Sequence, residues 1–267
     1  MAALRVGLLG LGAIGRRVAT LIQAGAAGDC ALVAVLVRDV GRHAEVRSTL
    51  GEALLTHDAA AFFATCPAVV VEAAGHAALR QYGQQVLEAG ADLLLLSVGA
   101  LAEAPFATRL QEAAVRAGRQ ILVPSGGIAG LDAIGAAALG RLDEVVHTVR
   151  KPPRAFSTEQ LGGAVPSGER CLYDGPAAQG VVRFPENVNV AAAVSLAGLG
   201  LERTRLVVIA DPAVERNTHL VQVRGDFGQL QLQMENTPTE NPKTGRIVAL
   251  SVANALRHRT APLVIGL

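Results

Sequence analysis

The chain has 267 residues, 51% of them hydrophobic and 18% charged, with a formal net charge of +1. That is too apolar and too weakly charged for a disordered chain, and a near-neutral balance leaves no electrostatic footprint for nucleic acid or an anionic membrane. Cys30, Cys66 and Cys171 are too widely spaced for a disulfide framework or a zinc pattern, and no apolar run approaches the ~18 residues of a membrane span. No metal is expected, and the reading is a cytoplasmic protein in a reducing compartment.

In chain order, Arg5–Leu9 is an apolar run ending in Gly10, and Ile14–Gln23 follows with helical spacing of Ile14, Val18, Leu21 and Ile22. Ala31–Val37, Val69–Val71, Asp92–Ser97 and Gln120–Val123 read as further buried strands. His76–Ala89 and Ala102–Ala117 read as helices, each followed by the glycine usual just past a helix end. This alternation predicts an α/β chain whose first domain, residues 1–126, is a Rossmann-type doubly wound parallel sheet.

After Pro124 the rhythm changes. Gly130–Gly140 reads as a helix, Val145–Val149 as a strand, Ala155–Arg170 as a loop, Asn187–Leu199 as a small-residue helix and Arg205–Ala210 as a strand. His219–Arg224 and Gln229–Met234 alternate apolar and polar residues around a Gly-Asp-Phe-Gly turn, which predicts a hairpin with one wet face. Residues 127–241 are therefore expected to form a second α+β domain with antiparallel strands, for substrate, catalysis and dimerisation. The terminal helix within 242–267 is expected to return to the first domain.

Gly10-Leu11-Gly12-Ala13-Ile14-Gly15 is a G-x-G-x-x-G segment between a strand and a helix, the context in which it binds a dinucleotide pyrophosphate. At the end of the second strand, where NAD enzymes place an acid against the ribose, stands Val37, followed by Arg38. A missing carboxylate and a guanidinium admit a 2′-phosphate, so the expected cofactor is NAD or NADP; Asp39 serves instead if the register differs by two. Ala73 and Ser97, at the tips of later strands, are expected to line the cofactor crevice.

Three further segments carry a more specific likeness. They are Phe184-Pro185-Glu186-Asn187-Val188-Asn189-Val190-Ala191-Ala192, then Ala210-Asp211-Pro212 with Asn217-Thr218-His219, then Asn236-Thr237-Pro238 with Asn241-Pro242-Lys243-Thr244. With the Gly-rich opening and Ser125-Gly126-Gly127-Ile128, the chain resembles the L-aspartate dehydrogenase family along nearly its whole length. The resemblance implies NAD(P)-dependent conversion of L-aspartate to iminosuccinate, then oxaloacetate and ammonia. It implies His219 as the acid/base, and Asn189 and Gly127 at cofactor positions. Gly127 stands where the family has alanine, so only a backbone contact carries over. Gly245 stands where the family usually has serine, so no hydroxyl role does.

The chemistry asks for the same residue types. Histidine titrates near neutrality, which suits proton transfer. Asn217 and Thr218 flank His219 and are expected to orient it. Two substrate carboxylates need cations, for which Lys151, Arg154 and Lys243 are the candidates; Thr244 and Asn187 are placed on the substrate side as well. Asn187 is equally suited to capping the helix that follows. Close-packing Ala-rich helices predict a homodimer. A reductase of the dihydrodipicolinate or homoserine dehydrogenase type, or a non-catalytic NAD(P)-binding sensor, remains the alternative reading.

Overall fold

The computed structural model describes residues 2–184, 188–239 and 245–266. The chain forms two compact units, one of Met1–Gly126 with Ile247–Leu267 and one of Gly127–Arg246.

In the first unit, six strands form one sheet: β1 (Leu4–Leu9), β2 (Cys30–Leu36), β3 (Leu54–Thr56), β4 (Val69–Glu72), β5 (Asp92–Leu95) and β6 (Ile121–Leu122). Their order is β3-β2-β1-β4-β5-β6 and every pairing is parallel, the doubly wound arrangement expected. β1 is central, which is why Val6, Leu8 and Leu9 are apolar and buried. Helix α1 (Ala13–Gln23) lays Val18, Leu21 and Ile22 on one face of the sheet, and Ala249, Val252, Ala253 and Leu256 of the terminal helix join the same core. Helix α2 (Ala59–Ala64) is capped by Asp58, whose side chain accepts the Ala60 N–H. Helices α3 (His76–Glu88) and α4 (Ala104–Ala117) pack on each other. Helix α4 starts two residues later than the periodicity predicts. Val98–Ala102 form a tight 3-10 turn, and Pro105 sits in the first helical turn, where its missing N–H costs nothing. The sequence reading also passed over residues 41–64, which hold a 3-10 segment (Gly41–Leu50), β3 and α2.

The second unit is a five-stranded sheet of β7 (Leu142–Lys151), β8 (Arg170–Pro176), β9 (Arg205–Ala210), β10 (Thr218–Gly225) and β11 (Gly228–Glu235), in the order β11-β10-β7-β9-β8. The β10–β11 hairpin is the one predicted. The sheet is mixed rather than wholly antiparallel, because β7 and β9 pair in parallel. Helices α5 (Leu131–Ala137) and α7 (Val188–Ala197) cover one face through Ile134, Val145, Val194, Val221 and Val223, while α6 (Ala177–Arg183) packs beside β8. β8 and α6 were not foreseen, and Arg170, placed in a loop by the sequence, opens β8. β8 is an edge strand that ends in Gly-Pro and shows no alternation, so it carries little periodic signal.

Candidate active site

β1 ends at Leu9 and Gly10 turns the chain with φ +88°, a left-handed value that favours glycine. A Cβ at Gly10 would lie 2.8 Å from Ala74 Cα and 2.9 Å from the Ala73 carbonyl oxygen. A Cβ at Gly15 would collide with the Gly10 carbonyl, so this glycine lets α1 close onto the turn. Gly12 differs. Its φ is −75°, and a Cβ there would meet nothing within 4 Å. The packing of the chain gives no reason for glycine at 12; an anion approaching the helix does. No side chain caps the start of α1 and no acid occupies its first turn, so its N–H groups and dipole are left for a phosphate. Gly10, Gly12, Ala13, Ile14 and Gly15 fit a dinucleotide pyrophosphate on these grounds.

The neighbouring strand tips are organised by a residue the sequence reading did not single out. Glu72 is fully buried. Its Oε1 accepts the N–H groups of Ala74 and Gly75, both at 2.8 Å, and the Ser97 hydroxyl at 3.0 Å; its Oε2 accepts the Ser97 N–H at 3.0 Å. Four donors are what make a buried carboxylate tolerable, and here they clamp the end of β4 to the end of β5. Ser97, expected on the cofactor, thus spends its hydroxyl on Glu72, and Ala73 is held by its N–H on the Leu9 carbonyl at 2.9 Å. In Glu72→Gln the amide oxygen can replace Oε1, but the NH2 group is then set against the Ser97 N–H. The substitution is expected to cost about 1–3 kcal/mol, read as a lower urea midpoint at unchanged slope.

At the end of β2, Val37 is buried and Arg38 and Asp39 are exposed. Asp39 Oδ1 accepts the Gly41 N–H at 2.9 Å, and its other oxygen lies 3.3 Å from Arg42. The carboxylate that could have met a ribose is therefore engaged in its own turn.

In the second unit the β10–β7 register sets His219 opposite Val149. Strand alternation puts His147, Val149 and Lys151 on that same face, so His147 and Lys151 flank His219 diagonally. All three polar side chains are buried, at 0%, 5% and 6% exposure for His147, Lys151 and His219. His147 Nε2 lies 3.1 Å from His219 Nδ1, with the rings nearly stacked at 20°. This corrects the expectation for Asn217 and Thr218. Thr218, next along the strand, belongs to the opposite face, and Asn217 precedes the strand, its carbonyl accepting the Asn236 N–H at 3.1 Å. The ring of His219 is oriented by His147, a residue on another strand 72 positions away.

Burial, and then the Lys151 ammonium, push the His219 imidazole down to about 4. Burial, and then His219, hold His147 well below the ordinary histidine value. Both rings are neutral at pH 7. In the unfolded chain they titrate near 6.5. Between about 4 and 6.5 the unfolded chain binds more protons, so stability rises with pH across that window and this contribution is complete above about 6.5. Urea midpoints measured from pH 4.5 to 7.5 are expected to fall on the acid side, with a shallower fall in the double variant His147→Gln/His219→Asn.

The other candidates are placed as follows. Arg154 lies in a 3-10 turn after β7 (Pro153–Ala155), exposed, and donates to the Glu215 carbonyl at 2.8 Å. Gly127 offers its carbonyl to Asn236 Nδ2 at 2.8 Å, a backbone contact indifferent to alanine or glycine. Asn189 is exposed at the start of α7. Asn187, Lys243 and Thr244 lie outside the described residues. Asp211 is structural: it accepts Arg150 at 2.8 Å and the Ala213 N–H at 2.8 Å. Among the described residues, no group of three or more acidic, His or Cys side chains could hold a metal ion, and no helix is long and apolar enough to cross a membrane.

Residues 132–259 match the family model described as aspartate dehydrogenase, C-terminal, and residues 10–124 match that of the homoserine dehydrogenase NAD binding domain. The chain is 41% identical to L-aspartate dehydrogenase 2 of Bordetella bronchiseptica over 98% of its own length and 99% of that protein. It is 37% identical to the L-aspartate dehydrogenase of Methanosarcina barkeri, over 98% and 99%. The crystal structure of aspartate dehydrogenase from Thermotoga maritima shares the fold, with a TM-score of 0.80 at 22% identity, covering 98% of this chain and 99% of that one. The chain belongs to the L-aspartate dehydrogenase family.

Proposed function

We propose that the chain oxidises L-aspartate to iminosuccinate with NAD or NADP, water then giving oxaloacetate and ammonia, and that the reaction runs reversibly. The observation that carries this reading is the buried face on which His147, His219 and Lys151 meet, within the unit whose family model is named for aspartate dehydrogenase. The bound dinucleotide supplies the hydride acceptor. Gly10, Gly12, Ala13, Ile14 and Gly15 would hold its pyrophosphate and Arg38, Ala73 and Ser97 its remaining parts, while Gly127 and Asn189 are kept as cofactor candidates on the family resemblance alone.

Lys151 is the cation we assign to a substrate carboxylate, a buried point charge near enough to His219 to act on its ring. His219 is the group assigned to the reacting carbon and its nitrogen or oxygen substituent. Arg154, Asn187, Lys243 and Thr244 are retained as substrate-side candidates. We further propose a homodimer in the cytoplasm, the three cysteines remaining thiols; sedimentation at micromolar concentration tests the dimer.

Initial rates with L-aspartate against a panel of amino acids and homoserine, with NAD and NADP in parallel, test the function. Reduced cofactor forming fastest with L-aspartate is the expected outcome, and faster turnover of homoserine would overturn it. With no acid at position 37 and an exposed guanidinium at 38, Arg38→Ala is expected to raise the KM for NADP about 10-fold and leave that for NAD nearly unchanged.

A further inference from the structure

His147 is a buried titratable group that the proposed reaction does not itself use. Its two neighbours across the sheet are apolar, Val221 on β10 and Leu206 on β9. The polar groups on its face are His219 from β10 and Lys151 from its own strand; β11 contributes Met234 opposite His219. The 3.1 Å contact between His147 Nε2 and His219 Nδ1 needs one proton between the two nitrogens, and either ring could supply it.

The remaining nitrogens decide which. His147 Nδ1 is buried with no hydrogen-bond partner among the described residues. If His219 donated, a neutral His147 would have to carry its own proton on Nδ1, leaving a buried N–H without an acceptor. Orphaned buried donors are the rarer and costlier case; a bare ring nitrogen is better tolerated. We propose that His147 is a positioning residue: its Nε2–H donates to His219 Nδ1, so that His219 carries its proton on Nε2 and meets the substrate as a neutral hydrogen-bond donor. A neutral imidazole in this state is a preorganised N–H donor to the polar substituent at the substrate's C2, which is nitrogen in the oxidation and becomes oxygen, with negative charge to stabilise, only when water adds to the imine or when the keto acid reacts in reverse. Burial of both rings acts in the same direction, by disfavouring an imidazolium at either site.

The inference rests on the reading of His219 as the substrate-side group, but its test does not need turnover. Long-range proton–nitrogen spectra of protein labelled with 15N-histidine, at pH 7, report the tautomer of each ring, with His219 assigned from the signals lost in His219→Asn. The expected spectrum has His219 protonated on Nε2 and bare on Nδ1. His147→Gln places an amide N–H near the same position and is expected to keep that tautomer, with kcat for L-aspartate within about 3-fold of wild type. His147→Phe keeps a ring but has no donor. It is expected to let His219 exchange between tautomers and to lower kcat about 10-fold at an unchanged KM for the cofactor. A proton on His219 Nδ1 in the wild-type protein overturns the proposal, as do equal tautomer populations in the Gln and Phe variants. The wild-type spectrum is decisive even if the Phe variant fails to fold. Failure to oxidise L-aspartate would overturn the proposed function and leave the tautomer assignment intact.

Discussion

Replacing His219 with alanine is expected to lower kcat for L-aspartate oxidation by about 10²–10⁴-fold, the range for losing a positioned proton-transfer group or a preorganised donor. Cofactor affinity, followed by quenching of reduced-cofactor fluorescence, should not change, because His219 is not among the residues assigned to hold the dinucleotide. Alanine also removes the partner of His147 Nε2 and opens a cavity at a site only 6% exposed, so some loss of stability accompanies the loss of rate. His219→Asn separates the two effects. Its side-chain oxygen reaches about as far as Nδ1 and can accept from His147, but nothing stands in for Nε2. It is expected to fold close to wild type and to be as slow as His219→Ala. An asparagine variant with near-normal turnover would take Nε2 out of the chemistry. With the ring titrating near 4, a kcat profile limited by His219 should also show no acid limb at the ordinary histidine value.

The parallel half of the fold is legible because its signals are local. A continuous apolar strand, a glycine turn and a helix of 3.6 periodicity follow one another within about twenty residues at Leu4–Gln23, and each is a pattern that a single stretch of chain carries alone. The β10–β11 hairpin is legible for the same reason, its alternation flanking a tight turn. β8 is not, since an edge strand buries little and its residues obey no period. The site divides along the same line. Glycine roles at 10, 12 and 15 follow from the motif. The partner of His219 does not, because it depends on the register between β10 and β7, and a slip of one residue would turn His147 to the other face. Glu72 stayed hidden at the end of a buried strand, where a charged residue after Val69–Val71 reads as the strand's end. Its four donors come from the turn after β4 and from Ser97 just past β5, and only the assembled sheet brings them together.

Gly12→Val and Gly15→Val change the same motif by the same atoms and are expected to fail in opposite ways. At position 12 the backbone is extended, which valine adopts freely, and the space around a Cβ is open to 4 Å. The folded apoprotein should therefore lose no more than about 1 kcal/mol, the scale of a poorer N-cap. The same branched side chain then stands over the N–H groups at the start of α1, where a pyrophosphate would have to approach. Cofactor affinity is expected to fall about 100-fold or more, ~2.7 kcal/mol. At position 15 the first added carbon meets the Gly10 carbonyl, a fixed backbone atom that cannot rotate aside. Helix α1 must lift from the turn, and the buried Val18, Leu21 and Ile22 lift with it, so the apoprotein itself is expected to lose about 1–3 kcal/mol. Thermal unfolding of the two apoproteins with and without cofactor separates the cases. Gly12→Val should melt like wild type alone and gain nothing from added NAD or NADP, whereas Gly15→Val should melt early before any ligand is added. A Gly12→Val protein stabilised by cofactor as strongly as wild type would show that the open space above this turn is not where the dinucleotide binds.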